Sequence, residues 1–265
     1  MKYRKICLLI VADSAVLLFG DCGSPEVSQN TGNEIQTEAE DETMGSAEPE
    51  EIFDDEMPER ESDDTRILVA YFTRLDNTSG GIDEILQGGG PYGSLEEDDI
   101  NTISSASIQR SGNEIYGNTE TLAKMIQEHL GGELFSIQTV QDYPADYDTL
   151  IDQGGEEKNR EARPELESHV EDMDKYDVVF LGFPNWWYDM PMPVYSFLEE
   201  YDFSGKTVIP FATSADSGFS GTIETLQKMM PDVEIIDEGL HIPMRNVSGA
   251  DEEVADWLKE IGMLQ

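Results

Sequence analysis

The chain has 265 residues, 28% of them charged, with 57 Asp and Glu against 16 Lys and Arg and a formal net charge of −41. A field of that sign repels nucleic acid and anionic lipid headgroups and favours basic protein partners, so nucleic-acid binding is excluded as a function class. The two cysteines are Cys7 and Cys22. Cys7 falls inside an N-terminal targeting pattern, which rules out a structural disulfide, a Cys-rich zinc site and a dithiol redox centre in the chain that follows.

That targeting pattern comes first in chain order. Lys2, Arg4 and Lys5 form a positive start and Ile6 to Gly20 an apolar run, as in an export signal. Fifteen helical residues reach only about 22 Å, short of a hydrocarbon core of about 30 Å, and Asp13 near the centre adds a further penalty. Cys22 stands where a bacterial lipoprotein signal would be modified, so lipid attachment there and simple secretion are both open. Residues 23–65 hold 16 acidic residues against the single basic Arg60, with Pro25, Pro49 and Pro58. So acidic and apolar-poor a segment cannot bury enough surface to fold, and a disordered acidic linker is expected.

The body then alternates. Ile67 to Phe72 reads as a buried strand, Thr119 to Leu130 as a helix stopped by Gly131 and Gly132, and Leu134 to Ile137 as a second strand. A polar helix follows at about Tyr147 to Glu161, then a strand at Asp177 to Leu181 and a helix at Met192 to Tyr201. The last pairs are a strand at Thr207 to Phe211 with a helix at Thr222 to Met230, and a strand at Val233 to Ile236 with a helix at Asp251 to Ile261. Strict alternation implies right-handed crossovers and a parallel sheet with helices on both faces. Between the first strand and the first helix, some 45 residues read as a long loop, an insert at about 74–116 of the kind that is usually functional or mobile.

The most informative stretch runs from Phe180 to Pro191. An apolar strand feeds Pro184, Asn185, Trp186, Trp187 and Tyr188, closed by Pro191. Adjacent side chains on an extended segment point in opposite directions, so both indoles cannot belong to one core face. A rigid aromatic loop at the carboxyl edge of a sheet suits a flat conjugated ligand, and a core Trp beside a surface Trp is the structural alternative. At the end of the first strand, Thr73 and then Gly117, Asn118 and Thr119 bracket the opening of a helix. Backbone N–H groups, the helix dipole and Thr hydroxyls can hold a phosphate there without Lys or Arg. For Gly117 to Thr119 the plain alternative is a helix cap.

Six pieces in order carry a family resemblance. They are Ile67 to Thr73, Gly117 to Glu120, Tyr143 to Tyr147, Tyr176 to Trp187, Asp202 to Phe211 and Thr213 to Phe219. Over about 66–265 the chain resembles the flavodoxins, in particular their exported and clostridial branch. The resemblance implies a three-layer α/β/α sandwich with a five-stranded parallel sheet in the order 2-1-3-4-5, and FMN as cofactor. It implies a phosphate seat at Thr73, Arg74, Gly117, Asn118 and Thr119. One wall of the ring site would be Pro184, Asn185, Trp186, Trp187 and Tyr188, the other Thr213, Ser214, Ser217 and Gly218.

Other constellations are weak. His129, His169 and His241 are scattered and read as structural. With so many carboxylates, no acidic pair stands out, and neither a catalytic residue nor a metal ligand is assigned. The expected function is an FMN-binding redox protein outside the cytoplasmic membrane, secreted or lipid-anchored to its outer face. It would be an electron carrier or a partner-fed reductase, served by a basic redox protein or a small electron acceptor. The alternatives are a flavodoxin-like surface module that has lost flavin and an NAD(P)H-dependent quinone-type reductase.

Overall fold

The computed structural model describes residues 65–78, 80, 108–111 and 114–265. The export segment, Cys22, nearly all of the acidic linker and most of the insert lie outside the described residues. Strand β1 (Ile67–Tyr71) sits between β4 (Glu133–Ser136) and β5 (Val178–Pro184), and β5 pairs in turn with β6 (Thr207–Ser214). The far edge is shared by β7 (Glu234–Ile235) and β8 (Leu240–Pro243), both parallel to β6. Counting that split edge as one strand, the parallel sheet has the order 2-1-3-4-5.

The two-residue period of a strand sorts β1 between two cores. Leu68, Ala70 and Phe72 face one side, packed with Leu150, Val194, Phe197 and Leu226, which come from α2 (Tyr147–Asn159), α3 (Met192–Glu200) and α4 (Thr222–Met229). Val69 and Tyr71 face the other side with Leu122, Ile126, Val254 and Trp257, from α1 (Asn118–Leu130) and α5 (Asp251–Glu260). Every residue of β5 is buried, as a central parallel strand covered on both faces requires. Gly182 in β5 leaves room for the Phe211 ring, which a Cβ at that position would meet at 2.2 Å.

Two features differ from the sequence expectation. The long loop after β1 has structure at both ends. Leu75–Asn77 forms a 3₁₀ turn, and β2 (Ile108–Ser111) pairs antiparallel with β3 (Glu114–Gly117), which runs directly into α1. The signal was a short one, two four-residue strands around Gly112 and Asn113, a pair typical of hairpin turns. The edge strand expected at Val233 to Ile236 is shorter and is followed by β8. The ladder to β6 covers Thr207 and Val208, lapses, and resumes at Phe211. Pro210 stands in the gap and has no N–H to donate.

Candidate functional site

Strands β1, β5 and β6 end on the same side of the sheet, and there the loops after β5 and β6, with the start of α1 and part of α2, enclose a cavity of about 630 Å³. That is the topological position at which open α/β sheets hold ligands. The loop after β5 is fixed from several directions. Asn185 donates from its backbone to Thr213 O at 2.8 Å, and from its side chain to Gly218 O at 2.8 Å and Ser220 Oγ at 3.1 Å. Trp186 and Asp189 exchange backbone hydrogen bonds of 2.9 and 3.0 Å, closing a tight turn over Trp187 and Tyr188. Both central residues lie in the left-handed region, at φ 54° and 61°, a conformation that Asn and Gly take more cheaply. Asp189 anchors the exit, accepting from Met190 N at 2.8 Å and from the Tyr195 hydroxyl at 2.7 Å.

The two indoles separate. Trp186 packs edge-to-face on Phe72 and Tyr143, ring centroids 5.5 Å away in each case. Trp187 is 47% exposed and Tyr188 73% exposed. Trp187 lies across α2, donating from Nε1 to Ile151 O at 3.0 Å. Lys158, also on α2, donates to Trp187 O at 2.6 Å and bridges Asp189 Oδ2 at 3.3 Å. Helix α2 accommodates this with two glycines. A Cβ at Gly155 would sit 3.1 Å from the Trp187 ring, and one at Gly154 would sit 3.6 Å from Trp186. Beneath Trp186, burial and the neighbouring Glu157 carboxylate push the Tyr143 phenol well above its ordinary pKa.

The wall after β6 is a turn pinned on Ser214. Its Oγ accepts from Ser217 N at 3.1 Å and Gly218 N at 3.2 Å, with Gly218 at φ 59°. Arg245 bonds Asp216 Oδ1 at 2.8 Å and holds that carboxyl below its usual range. Ser214, Asp216 and Ser217 all line the cavity, as do Pro184, Asn185, both tryptophans, Tyr188 and Thr213.

At the start of α1, Gly117 lies against Thr73 so closely that an added Cβ would fall 1.9 Å from Thr73 Oγ1. Gly117 N donates to the Glu120 carboxylate at 3.0 Å, and the hydroxyls of Thr119 and Thr213 are 3.3 Å apart. Of the expected phosphate-seat residues, Asn118 lines the cavity. Thr73, Gly117 and Thr119 are buried just behind it. Arg74 turns elsewhere: it is 2% exposed, donates to Ala145 O at 2.6 Å, and burial brings its pKa down to about 10. Gly218 supports the wall without facing the cavity. Tyr147, Leu150, Ile151 and Gly154 on α2, and Met244 after β8, line the cavity and were not expected. Paired glycines inside a helix, each costing about 1 kcal/mol relative to Ala, were the signal that something large packs there.

A parallel α/β sheet with a rigid aromatic loop and a ligand-sized cavity at its carboxyl edge defines a cofactor-binding protein of the flavodoxin class. The flavodoxin family profile matches residues 113–261, more than half of the sequence, and the chain belongs to the flavodoxin family. It is 30% identical over 99 residues to Flavodoxin 1 of Escherichia coli K12, covering 36% of this chain and 42% of that protein. The chain therefore spans less than half the length of the curated relatives it matches. Two solved structures, both named as candidate flavoproteins, are similar over 74% of this chain and 98% of their own, each with a TM-score of 0.52. They come from Bacteroides eggerthii at 25% identity and Bacteroides uniformis at 27%.

Family membership assigns FMN as the cofactor, and the residues present fit it. Asn118 Oδ1, Asn185 Oδ1 and Thr73 Oγ1 are buried without a hydrogen-bond partner, and the two asparagines line the cavity. Buried acceptors of this kind cost about 1–3 kcal/mol each when left unpaired. A flavin ring has an N–H donor and its ribityl chain has hydroxyl donors that could satisfy them. The cavity also lies within the range of about 300–1,000 Å³ that small-molecule sites occupy.

Proposed function

We propose that the chain holds FMN in this cavity and works as an electron carrier or partner-fed reductase outside the cytoplasmic membrane. The observation that carries the reading is the pair of unpartnered asparagine oxygens, Asn118 and Asn185, in a cavity framed by Trp186, Trp187 and Tyr188. Bound there, FMN supplies one- and two-electron redox chemistry, and the chain supplies the setting. Trp186, half-buried against Phe72 and Tyr143, gives an aromatic surface held from behind. Asn118 and Asn185 offer acceptors, and the wall after β6 offers hydroxyl and backbone groups for the ring's polar edge.

Charge supports the carrier role. Residues 66–265 carry 39 acidic and 12 basic residues. A carboxylate about 10 Å from added negative charge costs roughly 0.4–1.7 kcal/mol at effective dielectrics of 80 to 20. Several such groups lower the reduction potential, and the same surface steers basic redox proteins. Placement outside the membrane rests on the export-like start of the sequence, and a tether would run through Cys22.

The direct test is to reconstitute the purified chain with FMN and follow Trp fluorescence. Quenching, together with flavin absorbance that stays with the protein through gel filtration, is the expected result. Neither signal would leave the chain a flavodoxin-family module without a flavin. Mass spectrometry of the mature N-terminus decides the tether: a diacylglyceryl mass on Cys22 is expected for an anchored form, and a start beyond Cys22 discards it.

A further inference from the structure

His241 is one of three scattered histidines, and it touches the cavity wall from behind. It lies on β8, and its Nε2 is 2.8 Å from Ser214 Oγ, the atom that already accepts from Ser217 N and Gly218 N. A hydroxyl oxygen has two lone pairs and one proton. With two amides on the lone pairs, the proton has one place to go, Nε2 of a neutral His241, whose own proton is then on Nδ1. A protonated imidazole reverses that bond. Three N–H donors cannot share two lone pairs, so one amide is released and the hydroxyl proton turns away from the imidazole.

The other side of His241 meets a second groove, which it lines with Glu252, Glu253, Asp256 and Trp257. Facing the imidazole are Ser214 from β6, Asp216 and Phe219 from the loop after it, and Glu253 from α5. Burial lowers its pKa, while Asp216, itself bridged to Arg245, and Glu253 work in the opposite direction. Protons therefore reach His241 from a groove outside the cofactor cavity and act on a serine inside it.

We propose that His241 is a positioning residue of the cofactor cavity: through the Ser214 hydroxyl, its protonation state sets how many N–H and O–H donors the wall after β6 offers to a bound flavin. The inference rests on the FMN reading for its ligand, but the hydrogen-bond exchange belongs to the protein alone. The neutral form keeps the wall closed on itself. The protonated form frees the hydroxyl proton of Ser214, which lines the cavity as Ser217 does, beside a ring whose polar edge is rich in acceptors, so protonation favours binding.

Two measurements on the full chain test this. In the chain without cofactor, the amide ¹⁵N and ¹H shifts of Ser217 and Gly218 are expected to follow the His241 ring titration below pH 6.5. They should stay flat in His241→Gln, whose side-chain oxygen accepts from Ser214 but does not titrate. With FMN, the ratio of wild-type to H241Q affinity is expected to rise about three- to tenfold from a pH above the observed His241 titration to one below it, the worth of one net hydrogen bond. Taking the ratio removes the pH dependence of the phosphate and the surface carboxylates. If H241Q does not fold, Ser214→Ala serves: His241 should titrate there without moving the Gly218 amide. Amides that ignore the His241 titration in the wild type, or a flat affinity ratio, overturn the proposal. Failure to bind FMN at either pH removes the cofactor reading only, because the amide titration still decides whether His241 controls the wall.

Discussion

At the scale of single residues, the site depends on contacts too close for ordinary side chains. Gly117 is the clearest case. Its φ is −66°, which any residue adopts, so conformational freedom is not why glycine stands there. The reason is Thr73, whose Oγ1 and Cβ would lie 1.9 and 2.8 Å from an added Cβ. Gly117→Ala should therefore destabilise the fold by about 1–3 kcal/mol, the usual cost of overpacking a well-filled interior. Thr73→Ala removes the closer of the two atoms and should recover part of that loss. A double-mutant cycle by urea denaturation measures the coupling. Purely additive costs would mean that the two side chains do not collide in solution. The left-handed pair Trp187 and Tyr188 states the same principle in reverse: backbone that Asn and Gly would adopt more cheaply carries two large aromatic rings, a sign that the rings are needed at the cavity.

At the scale of elements, most of the fold was legible, and the failures have physical causes. The central strands β1, β5 and β6 are continuous apolar runs buried on both faces, so residue type alone identifies them. Their order in the sheet came from the family resemblance, since periodicity says nothing about which strand lies beside which. The split edge was missed because a short strand at a sheet margin has little burial to report, although Pro210 in the neighbouring strand marks where the ladder lapses. The hairpin of β2 and β3 was missed because four-residue strands fall below the length at which alternation is convincing. In the site, the loops after β5 and β6 were legible from Trp186, Trp187 and the Thr213 to Gly218 run. The contribution of α2 was not, because its paired glycines signal that something large packs on a polar helix but not which residues those are. His241 was passed over for a related reason: its significance comes from the pairing of β8 with β6, a long-range fact.

Helix α2 also holds the aromatic loop, and that can be tested. Lys158 is the link, reaching both Trp187 O and Asp189 Oδ2 from a half-exposed position. An ion pair so placed contributes about 1 kcal/mol or less to stability. Lys158→Met should thus leave the denaturation midpoint nearly unchanged. It should still speed hydrogen exchange at the Asp189 amide, whose bond to Trp186 O closes the turn, and it should weaken FMN binding. A large loss of stability with unchanged exchange would show that Lys158 supports α2 rather than the loop.

At the scale of the whole molecule, charge dominates, and it acts on stability and on association with opposite signs. Residues 66–265 hold 39 acidic against 12 basic residues, so the folded chain repels itself. Ion pairs offset this locally at Arg163–Glu199, Lys175–Glu133 and Arg245–Asp216, all with substantially exposed partners and correspondingly little energy. Raising salt from 0.01 to 1 M shortens the screening length from about 30 Å to about 3 Å. Net repulsion over longer distances is screened more fully than these short contacts, so the melting temperature should rise with NaCl. Association with a basic redox protein, proposed above, would rely on the same long-range field, and its rate should then fall steeply over the same range. Differential scanning fluorimetry and stopped-flow electron transfer to a basic c-type cytochrome, run on one salt series, check both. A melting temperature that falls with salt would show that local ion pairs outweigh the net repulsion. A transfer rate indifferent to salt would show that the acidic surface does not guide a basic partner to this chain.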